Sequence, residues 1–196
     1  MDIKAVIFDF GGVLVRTLSQ AGREYWERKL NLPKGELAQT VFDSEVASLA
    51  SVGKVEERKI WEYVGEKYHL APTEIDQLIT DFWSGDQLDR KLVDFLQSLR
   101  PKYKTAILSN AWSGARLTFT EKYQLDQAVD AIFISAEEGL AKPDPQIFAL
   151  AAQRLGVQPN QAVFVDDFPE NVRAAAEAGM LAVHYRNTPQ VLEDIQ

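Results

Sequence analysis

Five short apolar runs, rich in β-branched and aromatic residues, constrain the fold of this chain more than any other feature of its sequence. They cover residues 5–10, 105–108, 131–134, 162–165 and 181–185. Each run is nearly continuous instead of alternating with polar residues, which is typical of strands buried on both faces of a parallel sheet. Apolar residues at helical spacing between the later runs predict connecting helices. The sequence therefore predicts an α/β fold, a doubly wound, Rossmann-like parallel sheet.

The interval from about residue 16 to residue 85 departs from this alternation. It contains no convincing strand but has helical patterns around residues 21–32, 34–46, 55–68 and 73–83. Thr73 is the expected N-cap of the last helix, because an acidic residue follows it in the first turn. We therefore expect a Rossmann-like catalytic core made of residues 1–15 and 86–196, and a small all-helical cap made of residues 16–85.

Composition excludes several classes of partner and site. The formal net charge of −8 argues against nucleic acid and anionic membranes as partners, because both require a basic face. The absence of cysteine excludes disulfides, thiolate metal sites and a cysteine nucleophile. No apolar run approaches the ~20 residues that span a bilayer, and the first run is too short for a signal peptide. A cytoplasmic location is therefore expected, and the sequence leaves the oligomeric state open.

Polar residues and glycines follow the predicted strands where each strand ends. In open parallel sheets ligands bind beyond the carboxyl ends of the strands, so these residues are expected to converge. Three carboxylates at one place repel one another unless a cation lies among them, and such hard oxygen ligands suit Mg²⁺. A lysine and a serine beside the metal would then hold an anion such as a phosphoryl group. The converging residues are Asp9, Gly11, Gly12, Ser109, Asn110, Lys142, Asp166 and Asp167.

The order of these residues resembles the four motifs of haloacid dehalogenase-like hydrolases. The matching positions are residues 9–14, then Ser109, then Lys142 with Pro143, and then Asp166 and Asp167 followed by Asn171 and Gly179. The helical insertion resembles the cap of family members that carry it after the first strand. Each motif is weak alone, but four in this order over essentially the whole chain are specific.

The resemblance implies a role for each residue of the site. Asp9 would attack phosphorus and form an aspartyl-phosphate that water hydrolyses. Mg²⁺ would be held by Asp9, the Gly11 carbonyl oxygen and Asp167, with Asp166 as a further ligand or as support.

The remaining residues of the site would bind the substrate. Ser109 and Lys142 would bind and neutralise the phosphoryl group, the backbone of Gly12 would approach it, and Asn110 would shape the loop or contact the substrate. The expected substrate is a small phosphorylated metabolite.

Gly11 departs from the family pattern. Phosphatases of this family usually carry a second aspartate there, which protonates the leaving group. A positioned acid–base group contributes about 10²–10⁴-fold, so its loss would slow turnover without removing the nucleophile or the metal. We therefore expect a preference for leaving groups that need little protonation, as in aryl, acyl or anomeric sugar phosphates.

Some residues have two interpretations that the sequence leaves open. Trp112 follows the Ser109 loop and is a candidate for the substrate pocket, whereas most aromatic residues of the insertion are expected to pack in its core. Arg16 either contacts the substrate or forms an ion pair. His69 and His184 have no partner pattern and are interpreted as structural.

Two alternative functions remain open on sequence grounds. A 2-haloacid dehalogenase would use Asp9 to attack carbon without a metal, and the missing second aspartate fits that reaction. The paired Asp166 and Asp167 argue against it, because buried carboxylates without a cation are costly. A protein that binds a phosphorylated ligand or a partner with little catalysis is the other alternative, and only Gly11 favours it.

Overall fold

A five-stranded parallel sheet forms the centre of the protein. The computed structural model describes residues 2–195. The strand order of the sheet is β5-β4-β1-β6-β7, and every neighbouring pair is parallel. A separate two-stranded antiparallel ribbon joins β2 to β3. The strands are β1 (Ala5–Phe8), β2 (Val15–Thr17), β3 (Asp86–Leu88), β4 (Lys104–Ser109), β5 (Ala131–Ile134), β6 (Ala162–Asp166) and β7 (Leu181–His184).

Helices cover both faces of this sheet, which confirms the predicted doubly wound α/β fold. Successive side chains of β1 enter opposite cores: Val6 and Phe8 pack on one face and Ala5 and Ile7 on the other. The helices are α1 (Ala21–Lys29), α2 (Glu36–Phe42), α3 (Glu45–Ser51), α4 (Arg58–Tyr68), α5 (Pro72–Phe82), α6 (Arg90–Leu99), α7 (Ala115–Leu117), α8 (Ser135–Glu138), α9 (Pro145–Leu155), α10 (Pro169–Glu177) and α11 (Thr188–Asp194). A π-helical turn (Thr118–Lys122) and two 3₁₀ turns (Leu125–Gln127 and Pro159–Gln161) complete the chain.

Helices α1 to α5 form a helical module between the two strands of the ribbon. They surround their own apolar cluster, which includes Trp26, Trp61 and Phe82. None of the helices within residues 2–195 is long and apolar enough to cross a membrane. The module thus has a core of its own and joins the sheet through β2 and β3.

Several predicted boundaries of the elements are wrong. A single helix over residues 34–46 is in fact two helices, because the Ser44 side chain accepts a hydrogen bond from the Ala47 backbone (3.1 Å) and caps α3. Helix α5 begins before Thr73, since Pro72 occupies its first turn and Glu74 accepts a hydrogen bond from the Ala71 backbone.

The short ribbon was not predicted, because each of its strands has only three residues at the border of the interval read as helical. The first strand of the sheet is also shorter than predicted. It ends at Phe8, since the chain then turns through Gly11 and Gly12 into β2.

Candidate active site

The carboxyl ends of β1, β4 and β6 lie side by side at one edge of the sheet. Phe8, the last residue of β1, pairs with Ile107 on one neighbouring strand and with Val165 on the other. The residues that follow these positions include Asp9, Ser109 and Asp166. The chain leaves β1 toward β4 but reaches β7 from β6, so the order of the sheet reverses between β1 and β6, where ligands of open α/β sheets bind.

Lys142 joins two of the carboxylates at this edge. Its Nζ donates hydrogen bonds to Asp9 Oδ1 and to Asp166 Oδ2, each over 2.6 Å. All three side chains are almost entirely buried. An ammonium between two carboxylates in a buried site satisfies charges that would otherwise be strongly destabilising. The geometry therefore fixes the Asp9 carboxylate next to a permanent positive charge.

Asp166 is held from three sides. Besides Lys142, the Phe168 backbone N–H donates to its Oδ1 over 2.8 Å, and Asn171 Nδ2 lies 3.1 and 3.0 Å from its two oxygens. Asn171 lies on the first turns of α10, directly beyond the strand that carries Asp166. Asp166 is therefore a rigid anchor for Lys142, and both of its oxygens already have donors.

Asn110 positions the loop that carries Lys142. Its side-chain amide donates to the Lys142 carbonyl oxygen, and the Lys142 backbone N–H donates to the Asn110 amide oxygen, both over 2.8 Å. This pair of hydrogen bonds links the end of β4 to the loop between α8 and α9. Asn110 was predicted either to shape the loop or to contact the substrate, and these contacts correspond to the first role.

Burial changes the proton affinities of the site. It raises the pKa of Asp9 to about 7, although the nearby Lys142 favours the ionised form, and the charge of Asp166 adds to the rise. Burial also raises the pKa of Asp167, and Asp166 again contributes. Burial alone would lower the pKa of Lys142, but the charges of Asp9 and Asp166 outweigh it and raise that pKa. Burial and mutual repulsion thus disfavour full ionisation of three carboxyl groups that share one lysine.

Asp167 has an oxygen without a partner. Its Oδ1 is buried and accepts no hydrogen bond from any described residue. Asp9, Asp166 and Asp167 each offer one carboxylate oxygen, and these oxygens lie within 4.8 Å of one another. Buried polar atoms are nearly always paired, so an unpaired oxygen in a carboxylate cluster is the position where a cation fits.

Gly12 makes room for Asp167. Its φ is +82°, and a Cβ at this position would lie 2.2 Å from Asp167 Oδ2. Gly11 differs, because no heavy atom in the described part of the chain lies within 4 Å of a Cβ built there. The space beside the site where family phosphatases usually place an aspartate is therefore open.

The other predicted residues lie in different surroundings. Ser109 is buried at the end of β4. Trp112 is only 8% exposed, packs with the core of the helical module and donates from Nε1 to Ser51 Oγ over 3.3 Å. Arg16 forms an ion pair with Asp89 (2.7 Å). His184 Nε2 lies 3.1 Å from the Asp167 carbonyl oxygen.

Sequence reasoning placed Asn171 in the fourth motif without a role, and it did not identify Phe42 or Arg23. The position of Asn171, five residues after Asp166 at the start of the next helix, is a signal that was available. The contact of Phe42 with Trp112, and of Arg23 with Phe42 and the ribbon, depends on packing of the helical module, which no local pattern reveals.

Comparison with known proteins decides the family. The model of the haloacid dehalogenase-like hydrolases matches residues 3–179. The chain belongs to this family. Among the relatives of this hydrolase, mouse acyl-CoA dehydrogenase family member 10 is 28% identical over 98% of the chain, and mouse bifunctional epoxide hydrolase 2 is 25% identical over all of it. The chain spans only 19% and 39% of those two proteins.

A relative of similar size and two solved structures complete the comparison. The D-ribitol-5-phosphate phosphatase of Bacteroides thetaiotaomicron is 26% identical, over 90% of this chain and 89% of its own length. A haloacid dehalogenase family enzyme of the same organism, solved with magnesium and inorganic phosphate, superimposes with a TM-score of 0.78 at 20% identity over 94% of each chain. The L-2-haloacid dehalogenase of Xanthobacter autotrophicus gives a TM-score of 0.69 at 21% identity, over 97% of this chain and 81% of its own. These structures share the fold.

Proposed function

We propose that this hydrolase is a Mg²⁺-dependent phosphatase that acts on small phosphate monoesters through an aspartyl-phosphate at Asp9. The unpaired Oδ1 of Asp167, within a carboxylate cluster whose charge exceeds that of Lys142, carries the proposal. When all three carboxylates are ionised, they and the ammonium of Lys142 leave two negative charges, which is the charge that a divalent cation neutralises. Relatives named as phosphatases and a family structure with magnesium and phosphate support the same reaction.

The residues fit a magnesium site in a specific way. Asp9 and Asp167 are the carboxylates that would hold the ion, together with the Gly11 carbonyl oxygen. Asp166, whose oxygens already accept from Lys142, Asn171 and the Phe168 backbone, would support them. A bound divalent cation would supply charge neutralisation for the phosphoryl oxygens.

The chemistry of the chain's own residues then follows from their positions. The carboxylate of Asp9 forms a bond to phosphorus while the bond from phosphorus to the leaving oxygen breaks. Lys142 holds Asp9 in place and offsets the negative charge of the phosphoryl group. Ser109 donates to a phosphoryl oxygen. Water then attacks phosphorus, which releases inorganic phosphate and restores the Asp9 carboxylate.

The helical module is proposed to act as a cap over this site. The ribbon that carries it begins directly after the Gly11–Gly12 turn, where the Gly12 backbone N–H donates to the Val15 carbonyl oxygen over 2.8 Å. A module joined so near the nucleophile can exclude water from the reaction and contact the leaving group.

Product release under two metal conditions tests the function. The protein is incubated with phenyl phosphate, acetyl phosphate or 2-chloropropionate, in Mg²⁺ or in EDTA. We expect release of phosphate from the esters in Mg²⁺ only. Chloride release in EDTA would instead assign the dehalogenase reaction, which the missing second aspartate favours. Binding of phosphate without turnover of any substrate would assign the weakly catalytic binding protein.

Substituting Gly12 with alanine is expected to weaken Mg²⁺ binding by at least about 10-fold, in the range seen when residues that orient metal ligands are lost. The added Cβ would force Asp167 away from its present position. Titration calorimetry with MgCl₂ measures the affinity. Gly139→Ala is the matched control, because Gly139 also has a positive φ (+68°) but no atom within 4 Å of its Cβ position. An equal loss of affinity in both variants would contradict the proposed role of Asp167.

A further inference from the structure

Three aromatic rings from separate parts of the chain form a continuous group, here called the aromatic wall. It consists of Phe42 at the end of α2, Trp83 after α5, and Trp112 after β4. The ring centroids are 5.7 Å apart for Phe42 and Trp112, 5.9 Å for Phe42 and Trp83, and 6.2 Å for Trp83 and Trp112. The aromatic wall therefore joins the helical module to the loop of the core that follows Ser109.

The topology places the aromatic wall at the edge of the sheet that carries Asp9 and Ser109. Strands β1 and β4 are neighbours, so the chain segments that rise from them border the space beyond Asp9 and Ser109. Trp112 comes three residues after Ser109, within about 10 Å along an extended chain. On the other side, the ribbon rises from the Gly12 turn to Thr17, which is two residues, or roughly 7 Å, beyond Val15. Trp112 belongs to the first of these segments, and its ring joins it to Phe42 and Trp83 of the helical module.

Arg23 holds the module side of the wall in position. Its Nε donates to the Phe82 carbonyl oxygen (3.0 Å) and its Nη2 donates to Thr17 Oγ1 (3.3 Å). The guanidinium lies 4.1 Å from the ring centroid of Phe82 and 5.9 Å from those of Phe42 and Trp83. These contacts tie the module side of the wall to the ribbon.

Phe42 is the most exposed ring of the wall, and Trp83 is partly exposed. Phe42 is 42% exposed, whereas Trp112 is 8% exposed. An exposed aromatic ring beside two tryptophans offers a flat apolar surface, and flat rings bind to such surfaces by stacked or edge-to-face contacts. A phosphate ester bound at Asp9 with an aromatic leaving group would place that ring against the wall.

We infer that the aromatic wall receives the leaving group, and that the preferred substrates are phosphate esters of phenols. This inference rests on the proposed phosphatase function. Gly11 supports it independently, because a side chain of hydrogen cannot protonate the leaving oxygen and a phenoxide departs without such help. Asp9 bonds to phosphorus, the bond from phosphorus to the phenolic oxygen breaks, and the phenoxide takes its proton from water. The leaving groups of acyl and anomeric sugar phosphates also depart readily, but they bring no aromatic ring to the wall.

Substrate profiles of Phe42 variants test the inference. Values of kcat/KM are measured in Mg²⁺ for phenyl phosphate, acetyl phosphate and α-glucose 1-phosphate, with the wild-type chain and with Phe42→Ala. We expect Phe42→Ala to lower kcat/KM for phenyl phosphate by about 10-fold, chiefly through a higher KM, the size expected for one lost aromatic pair. Its values for the other two substrates should stay within about twofold, and Phe42→Tyr should restore the activity with phenyl phosphate.

Tyr25→Ala is the matched control, because Tyr25 is a similarly exposed aromatic residue (50%) on α1 of the same module. It should leave all three values unchanged. Equal losses for all three substrates in Phe42→Ala, or no loss for phenyl phosphate, would overturn the role of the wall while leaving the phosphatase function intact. Absence of phosphate release from every substrate with the wild-type chain would overturn both proposals.

Discussion

Asp9→Asn is expected to lower Mg²⁺-dependent phosphate release by at least about 10⁴-fold, because an amide cannot form the aspartyl-phosphate. The substitution keeps the size of the side chain, and its amide oxygen can still accept a hydrogen bond from Lys142. The fold should persist, since the change removes a buried negative charge from a site that has an excess of such charges. Steady-state assays with phenyl phosphate measure the loss, and thermal unfolding measures stability.

Asp126→Asn is the control for this experiment. Asp126 is an exposed aspartate in the 3₁₀ turn Leu125–Gln127, distant in sequence from every residue of the site. The same change of charge there should alter neither activity nor stability. Retained activity in Asp9→Asn would show that another group attacks phosphorus.

Gly11→Asp is expected to raise kcat for alkyl phosphates by about 100-fold, at the lower end of what a positioned acid–base group contributes. Gly11 is exposed, its φ is not positive, and no atom of the described residues approaches its Cβ position within 4 Å. The new carboxyl group therefore has room beside Asp9. Alkoxides leave poorly without a proton, so alkyl esters should gain more than phenyl phosphate.

Gly11→Asn separates acid catalysis from packing, because asparagine has the shape of aspartate but donates no acidic proton. It should give no increase with cyclohexyl phosphate, whereas Gly11→Asp should. Phenyl phosphate is similar in size to cyclohexyl phosphate, and its kcat should change by less than about 10-fold in either variant. Equal gains in both variants would mean that the missing group is not an acid.

Much of the fold was accessible from the sequence because buried parallel strands leave a plain signal. The runs at residues 131–134 and 162–165 correspond to β5 and β6 nearly to the residue. The residues after the strands could be grouped for the same reason, since parallel strands bring their carboxyl ends to one edge. The sequence alone therefore predicts that Asp9, Lys142 and Asp167 lie close together.

The contacts among those residues could not be read in this way. Asp166 has hydrogen-bond donors at both oxygens because of where α10 begins and how the Asn171 side chain is oriented. Neither feature can be predicted from the sequence. The burial of Trp112 in the helical module depends on how two separate cores meet, and periodicity within one segment carries no information about it. The ribbon was missed because three-residue strands at the border of a helical interval give almost no pattern.

In the proposed site, Asp9 and Asp167 share one divalent cation beside Lys142. Anomalous diffraction from crystals soaked in MnCl₂, with Mn²⁺ in place of Mg²⁺, tests it most directly. We expect one strong peak about 2.0–2.3 Å from a carboxylate oxygen of each aspartate, in the range of oxygen–metal bonds. A peak away from these two residues, or no peak at saturating Mn²⁺, would contradict it.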